Sequence, residues 1–136
     1  MSYYLAKTEP STYSIDDLAR DQYTDWDGVT NPQAVKAILG MQAGDKVFIY
    51  HSGGVSAVVG LAEVAKAGAP DPRNRKSAIA CFRFLAKFEP PTTLAEIKAT
   101  HRFDDWSLVR QSRLSTMAAP ESFVRWMRRR YPHAGI

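Results

Sequence analysis

Trp26-Asp27-Gly28-Val29-Thr30-Asn31-Pro32-Gln33-Ala34 is the stretch from which the fold is read. It joins an aromatic ring, a turn dipeptide and a helix start. In Asp27-Gly28 the Asp side chain bonds the local backbone, and Gly accepts a positive φ without a Cβ clash. Asn31-Pro32 reads as a helix start, because proline at the first helical position gives up only an N–H that has no partner there. The proline also keeps Asn31 out of the α region, where a capping residue sits. The spacing predicts a helix over 32–39, with Val35, Ile38 and Leu39 on one face and Gly40 as its stop. Trp26 is then expected as an exposed ring beside free N–H groups, which suits a flat, anionic ligand such as a nucleotide. The competing reading makes Trp26 a packing residue that plugs the end of a small barrel.

Upstream, Tyr3 to Lys7 is a short aromatic run closed by Glu9-Pro10 and reads as an opening strand. Ser14 caps a short helix to about Arg20, with Asp16 and Asp17 in its first turn where they favour the helix dipole. Those two carboxylates are adjacent on a helix and do not converge as an acid–base pair. Downstream, Val47-Phe48-Ile49-Tyr50-His51 is a core strand that ends in the polar Tyr50-His51-Ser52-Gly53-Gly54. Ser56 to Lys66 and Ser77 to Lys87 read as two long strands, the second with Phe82, Phe84 and Phe88 alternating on one face until Pro90-Pro91 ends it. Between them, Gly68 to Lys76 reads as a loop whose tip holds Arg73, Arg75 and Lys76. Thr93 and Glu96 form a capping box for a short helix. Phe103 to Val109 reads as irregular, with Trp106 assigned to packing. Arg110 to Ala118 reads as a last strand carrying Arg113 and Ser115. Pro120 opens a final helix with Phe123, Trp126 and Met127 on its apolar side, and Arg125, Arg128 and Arg129 on another.

At 136 residues the chain is expected to form one domain, residues 1–136, with its own core. Hydrophobic residues make up 45% and charged residues 24%, as in ordinary globular proteins, and the net charge of +4 mildly favours anionic partners. A single cysteine, Cys81, rules out an internal disulfide and reads as a small core residue. The start Met1-Ser2-Tyr3-Tyr4 lacks a basic-then-apolar signal pattern, and no run approaches the roughly 18 apolar residues of a membrane span. A cytoplasmic protein without membrane attachment, monomeric by default, is the expectation.

His51, His101 and His133 are scattered, and no His or Cys pair has metal-ligand spacing, so neither metal nor cofactor is expected. There is no phosphate-binding glycine loop and no nucleophile elbow. Ser52 beside His51 does not make a triad, which is a matter of geometry.

Tyr4-Leu5-Ala6-Lys7-Thr8-Glu9-Pro10, the Trp-Asp-Gly-Val…Asn…Gln-Ala stretch, Phe48-Ile49-Tyr50-His51-Ser52 and Arg110-Gln111-Ser112-Arg113-Leu114-Ser115 occur in that order. Together, from Tyr3 to about Phe123, they resemble an EVE domain. The resemblance implies a PUA-like α+β fold: a strongly bent mixed sheet or barrel of five to six strands with short flanking helices. It implies a non-catalytic nucleic-acid-binding module that holds a modified base of DNA or RNA, flipped out or single-stranded, between aromatic rings. By the same resemblance the base pocket would use Trp26, Asn31, Gln33, Tyr50, His51 and Ser52, and Lys7, Arg110, Arg113 and Ser115 would contact the nucleic acid around it. The chain departs from the family pattern at Thr30, Pro32 and Val35, where relatives commonly carry Arg, an aromatic and Arg. The alternative is a hydrolase of modified nucleosides or RNA, as in other PUA-like domains, with Lys7 and Glu9 facing one pocket and Thr8 turned away. A third reading is a small-molecule or protein-interaction domain whose basic surface is incidental.

Overall fold

The structure, a computed structural model, describes residues 1–136. In chain order the elements are β1 (Tyr3–Thr8), α1 (Ile15–Asp21), β2 (Tyr23–Val29), α2 (Pro32–Leu39), β3 (Lys46–His51), β4 (Ala57–Asp71), β5 (Asn74–Thr93), α3 (Leu94–Ala99), α4 (Ser107–Arg110), β6 (Thr116–Ala118) and α5 (Glu121–Arg130). The strands form one sheet in the order β2-β5-β4-β3-β1-β6. Parallel pairing joins β1 to β3, from Tyr3 opposite Lys46 to Thr8 opposite His51. Every other pairing is antiparallel. The sheet is not closed, and β2 and β6 are its edges. It is nonetheless strongly curled: β1 lies four strand spacings from β2, about 19 Å in a flat sheet, yet Lys7 and Trp26 line the same groove.

The core divides along the sheet. Alternation along β3 sends Val47 and Ile49 to one side and Phe48 and Tyr50 to the other. On the first side Ile15 and Leu18 of α1 and Ile38 of α2 pack with Trp26 and Phe82. On the second, Ile97 of α3, Leu108 of α4 and Phe123 and Met127 of α5 pack with Phe48, Phe88, Phe103 and Trp106. Phe123 meets Phe48 and Phe103 edge-on at 5.2 and 5.4 Å between ring centroids. No helix is long and apolar enough to cross a membrane.

Local signals were obeyed where they were strongest. Asn31 caps α2 by accepting from the N–H groups of Gln33 and Ala34, at 2.9 and 3.2 Å. Ser14 with Asp17, and Thr93 with Glu96, form capping boxes at α1 and α3. Several expectations are corrected. Leu39 is 45% exposed, and α2 instead buries Ala34 and Ile38. Trp26 does not ride on a turn. It lies within β2, where Gly28, at φ +75°, forms the bulge between Trp26 opposite Ala80 and Val29 opposite Ala78. Between 68 and 76 there is a strand hairpin in place of a loop, closing where Asp71 pairs Asn74. Arg110 to Ala118 is not one strand: Arg110 ends α4, Arg113 and Ser115 lie in the connection, and only Thr116–Ala118 joins β1.

Strand β5 also runs through Pro90-Pro91. Gly60 pairs Lys87 and the next matched pair is Val58 with Thr92, so a wide bulge absorbs both prolines, which have no N–H to give the ladder. Farther back, Ala62 pairs Phe84 and Leu61 pairs Ala86, leaving Leu85 as an extra residue. That extra residue reverses the alternation. Phe82 and Phe84 therefore pack with the first cluster while Phe88 joins the second, against the single face expected for all three.

Candidate nucleic-acid interface

The end of β1 is where the polar residues singled out in the sequence come together. Lys7 Nζ stands 5.4 Å over the Tyr50 ring and donates to the Ser112 carbonyl at 3.0 Å. Its backbone N–H donates to the Ser115 carbonyl at 2.8 Å. The half-buried position pulls the Lys7 ammonium below its ordinary pKa, because desolvation disfavours the charged form. Beside it, Ser52 N donates to the Thr8 carbonyl at 3.0 Å. His51 Nε2 accepts from Ile15 N at 3.0 Å, so the ring serves as a structural acceptor at the start of α1. Desolvation lowers the His51 pKa, with Asp16 raising it and Lys87 lowering it to lesser degrees. Burial pushes the Tyr50 phenol up, against a hydrogen bond to Ser56 that pulls it down.

Across the curl of the sheet, β1 and β2 face each other over a groove of about 350 Å³. It is lined by Lys7 and Thr8, by Thr12 and Tyr13 of the following loop, and by Thr24 to Asp27 and Val29 of β2. Trp26 is 9% exposed and stacks on Phe82 at 5.0 Å between centroids. It is thus both a core residue and part of the groove wall. Thr24 and Trp26 are two apart on a strand and share a face. Tyr13 is held by its hydroxyl donating to Asp21 at 3.0 Å, and its carbonyl accepts from Thr8 Oγ1 at 2.8 Å. Burial raises the Tyr13 pKa most, and Asp21 adds to that.

Several site residues expected from sequence lie elsewhere. Trp26 and Tyr50 sit in different core clusters, and Tyr50 is 3% exposed beneath Lys7, so these two rings do not form the expected sandwich. The Asn31 carbonyl oxygen is spent on the α2 cap. Gln33 lines a separate cavity with Tyr4, Lys36, Ser107 and Thr116. Arg110 pairs with Asp105 at 3.2 Å. Arg113 is exposed and has no carboxylate within ion-pair distance, one residue from the carbonyl that Lys7 touches. Glu9 falls beyond β1 and outside the groove, where Lys7 and Thr8 are neighbours instead. Sequence reasoning missed Thr12, Tyr13, Thr24, Asp25 and Asp27. The signal for Thr24 was its period-two relation to Trp26, which counts only once β2 is read as a strand. No group of three His, Cys, Asp or Glu side chains is placed to hold a metal ion.

An open, curled, six-stranded mixed sheet with short helices over both faces is the architecture of a PUA-like domain. Within that class the chain belongs to the EVE domain family, whose model matches residues 2–130. It is 29% identical over 129 residues to human thymocyte nuclear protein 1, a match covering 74% of this chain and 57% of that protein. The rat protein of the same name is 37% identical over 82 residues, covering 52% of this chain and 36% of its own length. The chain therefore spans well under two thirds of these relatives. Among solved structures, a protein from Agrobacterium tumefaciens superposes with a TM-score of 0.90 at 30% identity, over 100% of this chain and 97% of its own. A hypothetical protein from Leishmania major gives 0.87 at 32%, over 97% and 95%. Human THYN1 in complex with DNA containing 5-methylcytosine gives 0.84 at 24%, over 93% and 95%, a likeness of fold.

Proposed function

We propose that this chain is a non-catalytic DNA-binding module that takes a modified base into the groove between β1 and β2. The observation that carries the reading is the groove wall itself: Trp26 backed by Phe82, with Tyr13, Thr24, Asp25 and Asp27 around one opening and Lys7 at its end. An extruded base presents a flat face, which an aromatic wall receives, and a polar edge, which carboxylates and hydroxyls read. Asp accepts from an exocyclic amino group such as cytosine N4. The presence of a methylated cytosine in the DNA bound to human THYN1 supports a cytosine-type base as the first ligand to test. Arg113, free of acidic partners and close to Lys7, is the leading phosphate contact.

The polar groups that a hydrolase would recruit are already holding the fold. His51 Nε2 receives the Ile15 N–H, and Thr8 Oγ1 donates to the Tyr13 carbonyl. Titration of the protein with duplexes that differ only in one methylated cytosine, and with the matching RNA, tests the reading. Tighter binding of the modified DNA is the expected result. Equal affinity for modified and unmodified DNA would refute base reading, and turnover of the modified nucleoside would refute a non-catalytic role.

A further inference from the structure

The β4–β5 hairpin is the most strongly charged feature outside the groove. Its distal part holds Lys66, Arg73, Arg75 and Lys76, all exposed, against a single carboxylate, Asp71. None of the four cations has an acidic partner within ion-pair distance, unlike Arg20, Arg83, Lys87, Arg110, Arg125 and Arg130. Asp71 is engaged in shaping the turn: its Oδ1 accepts from Arg73 N at 2.9 Å, as Asn74 Oδ1 accepts from Lys76 N at 3.0 Å. The tip is therefore ordered by the Asp71 and Asn74 side chains, which accept from backbone N–H groups, while its cations stay free.

Its aim is fixed as well. Gly68 N donates to the Met41 carbonyl at 3.0 Å, just past the end of α2. A Cβ at Gly68 would stand 1.7 Å from the Ile38 carbonyl oxygen, so the hairpin lies directly on the helix backbone. The groove and the tip also share a ribbon. Trp26 pairs Ala80 and Val29 pairs Ala78, and β5 continues from there to Asn74. Six residues from Ala80 to Asn74 set an upper bound of about 20 Å at ~3.3 Å per residue, and the path is shorter because β5 bulges near the tip, where Pro70 pairs Ala78 and Asp71 already pairs Asn74. Duplex DNA advances about 3.4 Å per base pair, so the tip lies at most about six base pairs from the groove.

We infer that the Arg73-Asn74-Arg75-Lys76 tip is a second DNA contact, gripping backbone phosphates of the duplex within about six base pairs of the base held in the groove. The inference rests on the proposed DNA-binding reading. The tip reads charge and spacing and carries no base preference of its own. It makes the footprint longer than the groove alone could cover.

The test uses a triple variant, Arg73→Ala, Arg75→Ala and Lys76→Ala, on a duplex of about ten base pairs either side of the target base, in modified and in unmodified form. The turn keeps its hydrogen bonds, which come from backbone N–H groups, so an unchanged melting temperature is the folding control. For the variant the dependence of log K on log salt should flatten by about one unit for each cation that touched phosphate. Affinity should drop equally for modified and unmodified DNA, leaving discrimination intact. If the wild type discriminates the modified base and the variant matches its affinity and salt slope, the tip is no contact and only this inference fails. If the wild type binds neither duplex at low salt, both readings fail together.

Discussion

Replacing Trp26 with alanine removes a side chain that is 9% exposed, stacked on Phe82 and set in an edge strand with one neighbour. Truncating a buried aromatic costs about 3–5 kcal/mol of stability. Position in an edge strand favours the lower end, because β2 can relax toward the space left behind. For 136 residues the unfolding entropy is about 0.29 kcal/mol/K near the midpoint, so the loss corresponds to a melting temperature lower by roughly 10–17 °C. The same ring forms the groove wall, and a base stacked on it contributes roughly 1–3 kcal/mol, a factor of about 5 to 150 in Kd. Both effects should appear in one protein. The assay is a thermal melt followed by titration, well below the melting temperature, with methylated and unmethylated duplexes. The Trp26→Ala protein should melt early, bind more weakly and lose its preference, while a salt-sensitive remainder persists. Trp26→Phe, which keeps an aromatic face against Phe82, should recover most of both. An early melt with unaltered preference would remove Trp26 from the site. An unaltered melt would contradict its place in the core.

Arg113→Ala should flatten the salt dependence of DNA binding by about one unit, and Arg110→Ala by less, because Arg110 is held by Asp105; equal effects measured by titration across salt would refute the distinction. His51 has a folded pKa below its unfolded value of about 6.5, so the unfolded chain takes up the proton first and stability should fall as pH drops below about 6.5. Melting of His51→Gln, whose side chain can still accept from Ile15, should vary less across that window, and an equally steep curve would show that His51 is not responsible. Gly68→Ala should cost at least about 1–3 kcal/mol, since the clash is with backbone at Ile38 that cannot step aside; a melting temperature equal to wild type would refute the close approach.

What the sequence made legible was local. The start of α2 is set by Asn31-Pro32, and the two capping boxes by residues three apart, so these elements could be placed without knowing their surroundings. Strand β2 was hidden because Asp25, Asp27 and Gly28 are poor strand formers, and what holds them extended is the ladder to β5. The run Gly68-Ala69-Pro70 reads as a loop for the same reason, being fixed by the opposite strand and by α2. At the site, Lys7 and Trp26 could be singled out as residue types, but their meeting depends on the curl of a sheet in which they are four strands apart. Tyr13 had no signal of its own, since its position follows from the Thr8 hydrogen bond to its carbonyl.

Strand β1 lies between β3 and β6, pairing Tyr4 with both Val47 and Ala118. During synthesis the earliest strand must therefore wait for one of the latest segments before its second edge is filled. Closing so long a loop is entropically costly and comes before any reward from the contacts it permits. A nascent chain holding β1 and β3 would present an open edge of apolar residues, the kind that pairs with other chains. Cutting the protein back past Thr116 would remove not one groove residue, yet it would open this edge and strip α5 from the core, so solubility and stability should fall together.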